Sequence, residues 1–296
     1  MEIRQLRSFR TVANLLSFNK AAGQLHYAQS SISVQIQTLE EELGVQLFDR
    51  LGKRVQLTET GTLLLQYANK ILDLADEANS AVTEESEPVG SLTVRIPETF
   101  GVHRLPPVLK AFHTRYPKVQ LNFITCALEG LEKDLRKGVT DLAFLLAESI
   151  SASDLEVETL GFESVVLVAS PDHPLSAKRS VHTRDLAGAT ILLSKVDCAY
   201  RRVFEQILKQ EEVSTYSRLE FNSVELIKRC VIADLGITVL PEVAVEEEVR
   251  QKRLAILPWS EGGIEVAILM IWFRDRWISP TLKAFMDIAR RVVGQK

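Results

Sequence analysis

The sequence predicts an α plus α/β chain: an N-terminal winged helix-turn-helix, a long linker helix, and a two-lobed α/β domain over the remaining two-thirds. Three observations carry this reading. Helical periodicity, a tight polar turn and a basic hairpin follow one another without spacer over residues 1–58. Apolar residues then recur at alternating steps of three and four, and from Ser91 onward short apolar strands alternate with amphipathic helices.

Over Met1–Leu16, the residues Ile3, Leu6, Phe9, Val12, Ala13 and Leu16 share one helical face, with Arg4, Arg7 and Arg10 largely on the other. Ser17 and Asn19 are candidate N-caps for a short helix, Lys20–His26, whose small residues suit close helix crossing. After a turn at Tyr27-Ala28, a third helix, Gln29–Leu43, turns Ile32, Ile36, Leu39 and Leu43 inward, and Gly44 closes it. Its remaining surface is short hydroxyls and amides, which approach base edges and phosphates without bulk. Val45–Arg50 and Arg54–Leu57 flank Leu51-Gly52-Lys53 as a hairpin-like wing. Candidate DNA contacts are therefore Gln29, Ser30, Ser31, Ser33, Gln35 and Gln37 on the third helix, Lys20 before it, and Arg50, Lys53 and Arg54 on the wing.

Charge argues the other way. Up to Thr58 seven basic residues face five acidic ones, a surplus of two, and the third helix has no Lys or Arg before its acidic end. On pattern alone a small three-helix interaction module is the alternative, since the strong basic footprint of many DNA binders is missing.

Resemblance narrows the choice. Leu6-Arg-Ser-Phe9, Ser17-Phe18, Ala21-Ala22, Leu25, Gln29-Ser-Ser-Ile-Ser33, Gln35-Ile36, Leu39-Glu40, Leu43-Gly44, Leu47-Phe48-Asp-Arg50 and Leu57-Thr58-Glu-Thr-Gly61 stand in one register. The segment resembles the DNA-binding domain of LysR-type transcriptional regulators, which implies sequence-specific binding of double-stranded DNA. Two positions depart from that pattern: Ser30 stands where the family often has Pro, and Val34 where a basic residue is frequent.

At 296 residues the chain is long enough for two or three domains with sizeable cores, and 46% hydrophobic with 25% charged residues is the composition of a globular protein. The net charge of −4 leaves about −6 after Thr58, so basic surface belongs to the N-terminal part or to local patches. No signal peptide is read at Met1-Glu2 and no apolar run approaches the roughly 20 residues that span a bilayer, so a cytoplasmic protein without membrane contact is expected. Cys126, Cys198 and Cys230 are widely spaced, the histidines lack ligand spacing, and His173 sits in a turn, so neither disulfide, metal nor cofactor is expected.

Thr58 can cap a long helix running to about Glu85. Leu64, Tyr67, Ile71, Leu74, Ala78 and Ala81 form a seam of a and d positions, which needs a partner helix. Packing on the chain's own domain is the alternative. Self-association is preferred, because two-fold related readers double the contacts on an interrupted palindromic site. Pro88-Val-Gly90 ends the helix, giving domains at 1–58, 59–87 and 88–296.

Beyond Ser91, strands are read at Leu92–Ile96, Val119–Ile124, Leu142–Leu146, Glu163–Ala169, Thr190–Leu193, Arg218–Phe221, Ile237–Leu240 and Val266–Phe273. Helices are read at Val102–Tyr116, Leu128–Lys137, Ala199–Gln210, Ser223–Ala233 and Pro280–Val293. This order predicts mostly parallel sheets in two lobes, at about 88–162 with 267–296 and at about 163–266, closing on a ligand cleft as in periplasmic-binding-protein-like folds. Tyr116-Pro117, Leu131 with Leu135, Gly138 with Asp141, Asp172-His-Pro-Leu175 and Gly236–Pro241 resemble the inducer-binding domain of the same family. The resemblance implies a transcriptional regulator controlled by a small-molecule effector and acting as a homo-oligomer, a dimer or dimer of dimers (homotetramer). Asp234 stands where the family usually has Gly, and Leu128 where Ser or Thr is common.

Ligands in such a cleft meet the carboxyl ends of strands and helix N-termini, which favour anions. By register the candidates after the first two strands are Glu98, Thr99, Phe100, Thr125 and Cys126, preceded by Pro97; from the second lobe they are Cys198, Tyr200, Arg201, Asn222 and Ser223. Thr99 is the leading polar contact and Arg201 the leading counter-charge for a carboxylate or phosphate. The alternative for Thr99, Asn222 and Ser223 is helix capping, and for Arg201 a surface position. Glu98 also suits an amine, so an organic acid and an amino-acid-like metabolite both stay open. An enzyme using His103 or Cys198 in the cleft is the competing class; G-x-S-x-G, Gly-rich phosphate loops and H-E-x-x-H are absent from the sequence.

Overall fold

The computed structural model describes residues 1–51, 54–82, 88–125, 130–147, 153–194, 199–213 and 216–294, without the side chains of residues 50, 51, 54, 76, 77, 79–82 and 199. The chain divides into two units, Met1–Ser91 and Leu92–Lys296.

In the first unit the apolar spacing produces α1 (Ile3–Leu15), α2 (Phe18–Leu25) and α3 (Gln29–Leu43). Leu6, Phe9 and Val12 of α1, Ala21 and Ala22 of α2, and Ile32, Ile36 and Leu39 of α3 are buried together. The Ser17 hydroxyl accepts from the Lys20 N–H at 3.3 Å and starts α2; Gly44, with φ of 69°, ends α3. β1 (Phe48–Leu51) and β2 (Arg54–Leu57) pair antiparallel as the wing. Glu40 ties the wing to α3: its buried carboxylate accepts from the backbone N–H of Leu47 at 2.7 Å and of Phe48 at 3.3 Å. Phe48 in turn lies against the rings of Phe9 and Phe18, at centroid distances of 5.4 and 5.7 Å.

α4 (Glu59–Val82) begins where Thr58 caps it, accepting the Gly61 N–H at 2.9 Å and donating to the Gln46 carbonyl at 2.8 Å. At Gly61 a Cβ would stand 2.1 Å from the Leu47 carbonyl oxygen, so only glycine lets the helix start this close to the wing. The sequence seam of α4 divides between two faces. Leu64 and Ile71 turn inward with Leu65, Ala68 and Leu72 onto the unit's own core, whereas Tyr67, Leu74 and Ala78 are exposed together with Leu63. A step of three or four residues allows two adjacent apolar faces on one helix, and spacing alone does not say which one the chain's own core covers. The side chain of Ala81 lies outside the described residues.

The second unit runs β3 (Ser91–Ile96), α5 (Glu98–His103), α6 (Leu105–Arg115), β4 (Gln120–Thr125), α7 (Leu131–Arg136), β5 (Leu142–Ala147) and β6 (Leu155–Ala169). It continues through β7 (Thr190–Ser194), α8 (Ala199–Gln210), β8 (Ser217–Phe221), α9 (Val224–Ile232), β9 (Thr238–Pro241), α10 (Glu246–Arg250), β10 (Ala255–Ile256), β11 (Ile264–Phe273) and α11 (Pro280–Val293). The expected single helix over Val102–Tyr116 is two helices broken at Arg104, because Pro106 and Pro107 have no N–H to continue α5 and are suited to a first turn.

The main sheet has the order β10-β6-β11-β5-β3-β4, with β9 also on β6. β3 and β5 are parallel, but β11 runs antiparallel to both β5 and β6, so the expected mostly parallel sheet is mixed at its centre. The expected strand from Glu163 is the second half of the 15-residue β6, and the expected lobe boundary at 162/163 falls inside it. Its first half was not read from the sequence, although Leu155-Glu156-Val157-Glu158 alternates as a strand does; Gly161 breaks the run before Glu163. β7 and β8 form a separate parallel pair, bridged to Ile237. One core runs under both halves of the sheet, with Phe100 stacked on Phe144 at 4.4 Å and Phe112 edge-on to Phe285 at 5.1 Å. On other faces of the unit, Leu131 and Leu135 of α7 cover one small core, and α9 meets Ala244, Val245 and Leu254 in another.

Candidate nucleic-acid interface and ligand cleft

On α3 the expected contact residues occupy three positions. Gln29 and Ser33 lie on one flank, with the Gln29 amide donating to the Ser33 hydroxyl at 2.8 Å. Gln35 lies on the other flank and accepts the hydroxyl of the fully buried Ser8 at 2.6 Å, which makes it a tie to α1 more than a free reader. Ser30, Ser31 and Gln37 are exposed, and the Gln37 amide donates to Glu41 at 2.9 Å. Lys20 is exposed on α2. Lys53 and the side chains of Arg50 and Arg54 lie outside the described residues.

Val34 is a surface residue the sequence reading did not count among the contacts. It is 61% exposed and lies roughly opposite the buried Ile32, Ile36 and Leu39. The available signal was its phase, since position 34 falls out of step with 32, 36 and 39.

In the second unit the end of β3 leads through Pro97 into α5, and the Glu98 side chain reaches the N-terminus of α9. Its Oε2 accepts from the Val224 N–H at 3.0 Å and its Oε1 from the Ser223 hydroxyl at 3.2 Å. Ser223 also caps α9 by accepting from the Leu226 N–H at 3.4 Å. Glu98 and Ser223 are thus brought together across 125 residues of sequence, with a carboxylate where the free N–H groups and helix dipole favour one. A second tie follows one helix later: Arg104 donates to the buried Glu163 carboxylate of β6 at 2.6 Å. His103 beside it is held below the ordinary histidine value, first by burial and then by the positive charge of Lys228. Neither Arg104 nor Glu163 was read as a site residue from sequence, because an ion pair between residues this far apart leaves no local spacing to read.

The other expected cleft residues separate. Thr99 is buried beside Glu98, and Thr125 and Asn222 are exposed at the ends of β4 and β8. Phe100 and Tyr200 are buried in the continuous core, so they are not free walls of the expected cleft. Arg201 differs from the expected counter-charge. It donates to the Ser194 carbonyl at 2.5 Å, to Glu220 at 2.7 Å and to Glu205 at 3.2 Å, so its fork is engaged within its own part of the unit. The reason is helical spacing and strand adjacency: Glu205 is one turn away and β8 lies beside β7. Cys126 and Cys198 lie outside the described residues, as does Leu128.

A serine, a histidine and a glutamate meet elsewhere on the unit, at Ser260, His182 and Glu261. The Ser260 hydroxyl lies 2.7 Å and Glu261 3.0 Å from the same ring atom, His182 Nδ1. A hydrolytic relay needs the two partners on different ring nitrogens, so this group is a structural clasp. Hydrogen bonds from His182 above all, then from Ser260 and the Thr183 N–H, hold the Glu261 carboxyl down from 4.5 to about 2. A depressed carboxyl stabilises the fold above its unfolded value and loses that effect as pH falls through the folded one. Glu261→Gln is therefore expected to lower the melting temperature slightly at pH 7 and not at pH 2; an equal loss at both would show that the charge is immaterial.

Among the described residues no group of three or more His, Cys, Asp or Glu is placed to hold a metal ion, and no helix is long and apolar enough to cross a membrane.

Comparison with known proteins adds three findings. Residues 3–62 match the family model described as bacterial regulatory helix-turn-helix protein, lysR family, and residues 85–294 match the model of the LysR substrate binding domain. The chain is 39% identical over 292 residues to YwqM of Bacillus subtilis, an uncharacterized HTH-type transcriptional regulator, covering 98% of this chain and 99% of that protein. Among solved structures, a full-length OxyR variant from Pseudomonas aeruginosa is similar with a TM-score of 0.70 at 25% identity, covering 100% of this chain and 95% of that one. Full-length CbnR in complex with its target DNA shares the fold with a TM-score of 0.69 at 23% identity, over 99% of this chain and 100% of that one.

Proposed function

Because the chain belongs to the LysR family, and is thus a DNA-binding transcriptional regulator with an effector-binding domain, we propose which of its residues carry each task. The face of α3 that the core leaves free reads the operator, with Gln29 and Ser33 as a hydrogen-bonded pair and Ser30, Ser31 and Gln37 around them. Lys20 and the wing residues Arg50, Lys53 and Arg54 hold phosphates. The observation that supports this is the division of α3 itself, three large apolar residues fully buried on one side and short polar side chains exposed on the other.

Gel shifts with the chain's own promoter region test the assignment. Gln29→Ala with Ser33→Ala is expected to weaken specific binding by roughly 1–3 kcal/mol per lost base contact while leaving salt-dependent non-specific binding in place. Unchanged specific binding would remove both residues from the interface.

We place the effector between α5 and the N-terminus of α9, against Thr99, Thr125, Asn222 and Ser223, with an organic acid or amino-acid-like metabolite as its class. Glu98 already holds a carboxylate on α9, so an effector carboxylate competes with it for the same N–H groups. Glu98→Gln removes the competing charge. The variant is expected to bind carboxylate effectors several-fold more tightly than the natural chain, read as a larger thermal shift at equal ligand concentration. A weaker shift instead would make Glu98 a direct partner of an effector amine. The exposed ridge of α4, Leu63, Tyr67, Leu74 and Ala78, is the proposed contact between two copies, with a dimer of dimers as the larger assembly.

A further inference from the structure

The ridge of α3 that points directly away from its core is Ser30, Val34, Thr38 and Glu41, with Gln37 beside it. Its centre is apolar. Val34 is 61% exposed in the middle of a polar surface, and valine does nothing there for the helix, since β-branched residues are below-average helix formers. Thr38 donates its hydroxyl to the Val34 carbonyl at 2.9 Å, which leaves its methyl as the group free for an outside contact. The neighbouring amides are held as well, Gln29 by Ser33 and Gln37 by Glu41. Glu41 at the far end repels phosphates, so the part of α3 that can enter a groove is its first half, with Val34 near the deepest point.

The major groove presents one apolar group, the C5-methyl of thymine. From this match we propose that Val34 is a specificity-determining residue that packs on a thymine methyl, selecting T at the base pair it faces in each half-site. The inference rests on α3 being the reading helix, and it adds what that helix reads: a methyl recognised by contact, at the centre of a face with no positive charge of its own.

The experiment uses the full chain and its promoter DNA, with each thymine of the bound site replaced singly by deoxyuridine, which removes the methyl and nothing else. One position per half-site is expected to lose about four-fold in affinity, the equivalent of about 0.8 kcal/mol for burying one such carbon. Val34→Ser, an exposed change that leaves the melting temperature unchanged, is expected to bind more weakly and to be indifferent to deoxyuridine at that position. Replacing cytosine by 5-methylcytosine at the same position of a mismatched site is expected to restore part of the loss for the natural chain alone. A deoxyuridine scan silent at every position overturns the proposal, as does an equal methyl effect in Val34→Ser. Absence of any sequence-specific binding overturns the reading of α3 itself and this inference with it.

Discussion

Replacing Tyr67 and Leu74 together by glutamate is expected to turn the protein into a monomer and to weaken operator binding by two to four orders of magnitude. The two side chains are 38% and 59% exposed on α4 and lie seven residues apart, two turns along one ridge with Leu63 and Ala78. The adjacent face of the helix is already covered by the chain's own core through Leu64, Ala68, Ile71 and Leu72, so the fold of the first unit does not need the ridge. A charge on the ridge therefore separates association from folding. The size of the effect follows from linkage: the second reader of a dimer binds at an effective local concentration, which gives a factor of roughly 10² to 10⁴ over a single reader. The first unit is only weakly basic, so little non-specific attraction compensates for the lost partner. Sedimentation and fluorescence anisotropy read the two outcomes separately. A dimer that survives the double substitution with full affinity would place the interface elsewhere.

Lys228→Met is expected to destabilise the second unit by about 3–5 kcal/mol, the usual effect of removing one member of a buried ion pair, since the Glu248 carboxylate is then left with Arg253 at 3.8 Å. Lys228 is 7% exposed on α9 and donates to the Glu248 carboxylate of α10 at 2.8 Å and to the Ala244 carbonyl at 3.0 Å. Burial is the largest influence and raises the Glu248 carboxyl, but the Lys228 hydrogen bond, a backbone hydrogen bond and the Lys228 charge together outweigh it and hold the group below its ordinary value. The sign follows: the pair stabilises the fold above the ordinary carboxylate range, and that contribution is lost as pH falls through the lowered value. The natural chain should therefore lose stability on acidification more steeply than Lys228→Met. Adding Glu248→Leu to Lys228→Met is expected to recover most of the loss, because two apolar groups replace a buried charge that has lost its nearest partner. Urea unfolding across pH checks both. A single variant as stable as the natural chain would show that water reaches Glu248. The consequence for function is that α9 is pinned from behind while its N-terminus faces Glu98.

What the sequence made legible was local. Ile32, Ile36 and Leu39 announced α3 by their spacing, Thr58 announced the start of α4, and Pro280 announced the last helix, because periodicity and capping act within a turn or two. Gln29 and Ser33, expected as contacts from the sequence, stand one turn apart, and their mutual hydrogen bond is local too. The site was illegible where the role depends on a distant partner. Glu98 reads as a possible ligand contact until Ser223 and Val224 are seen to receive it, and Arg201 reads as a free counter-charge until β8 brings Glu220 beside it. The first half of β6 was missed for a different reason: Leu155-Glu156-Val157-Glu158 does alternate, but the run is short and stops at Gly161, and Ala267–Phe273 of β11 set it in the sheet.

The position of β11 also sets an order of manufacture. Met1–Ser91 contains every partner its core needs, so the DNA reader can fold as soon as it has been synthesised. The sheet of the second unit has no central strand until Phe273 has been added, because β11 fills the place between β5 and β6. At roughly 5–20 residues per second that is a lag on the order of ten to forty seconds. During it each chain carries a finished reader and an unfinished sensor, with the edges of β5 and β6 bare and open to aggregation or proteolysis. A chain terminated before Ile264 would thus stay an operator-binding protein deaf to its signal, and the same bare edges would mark it for removal.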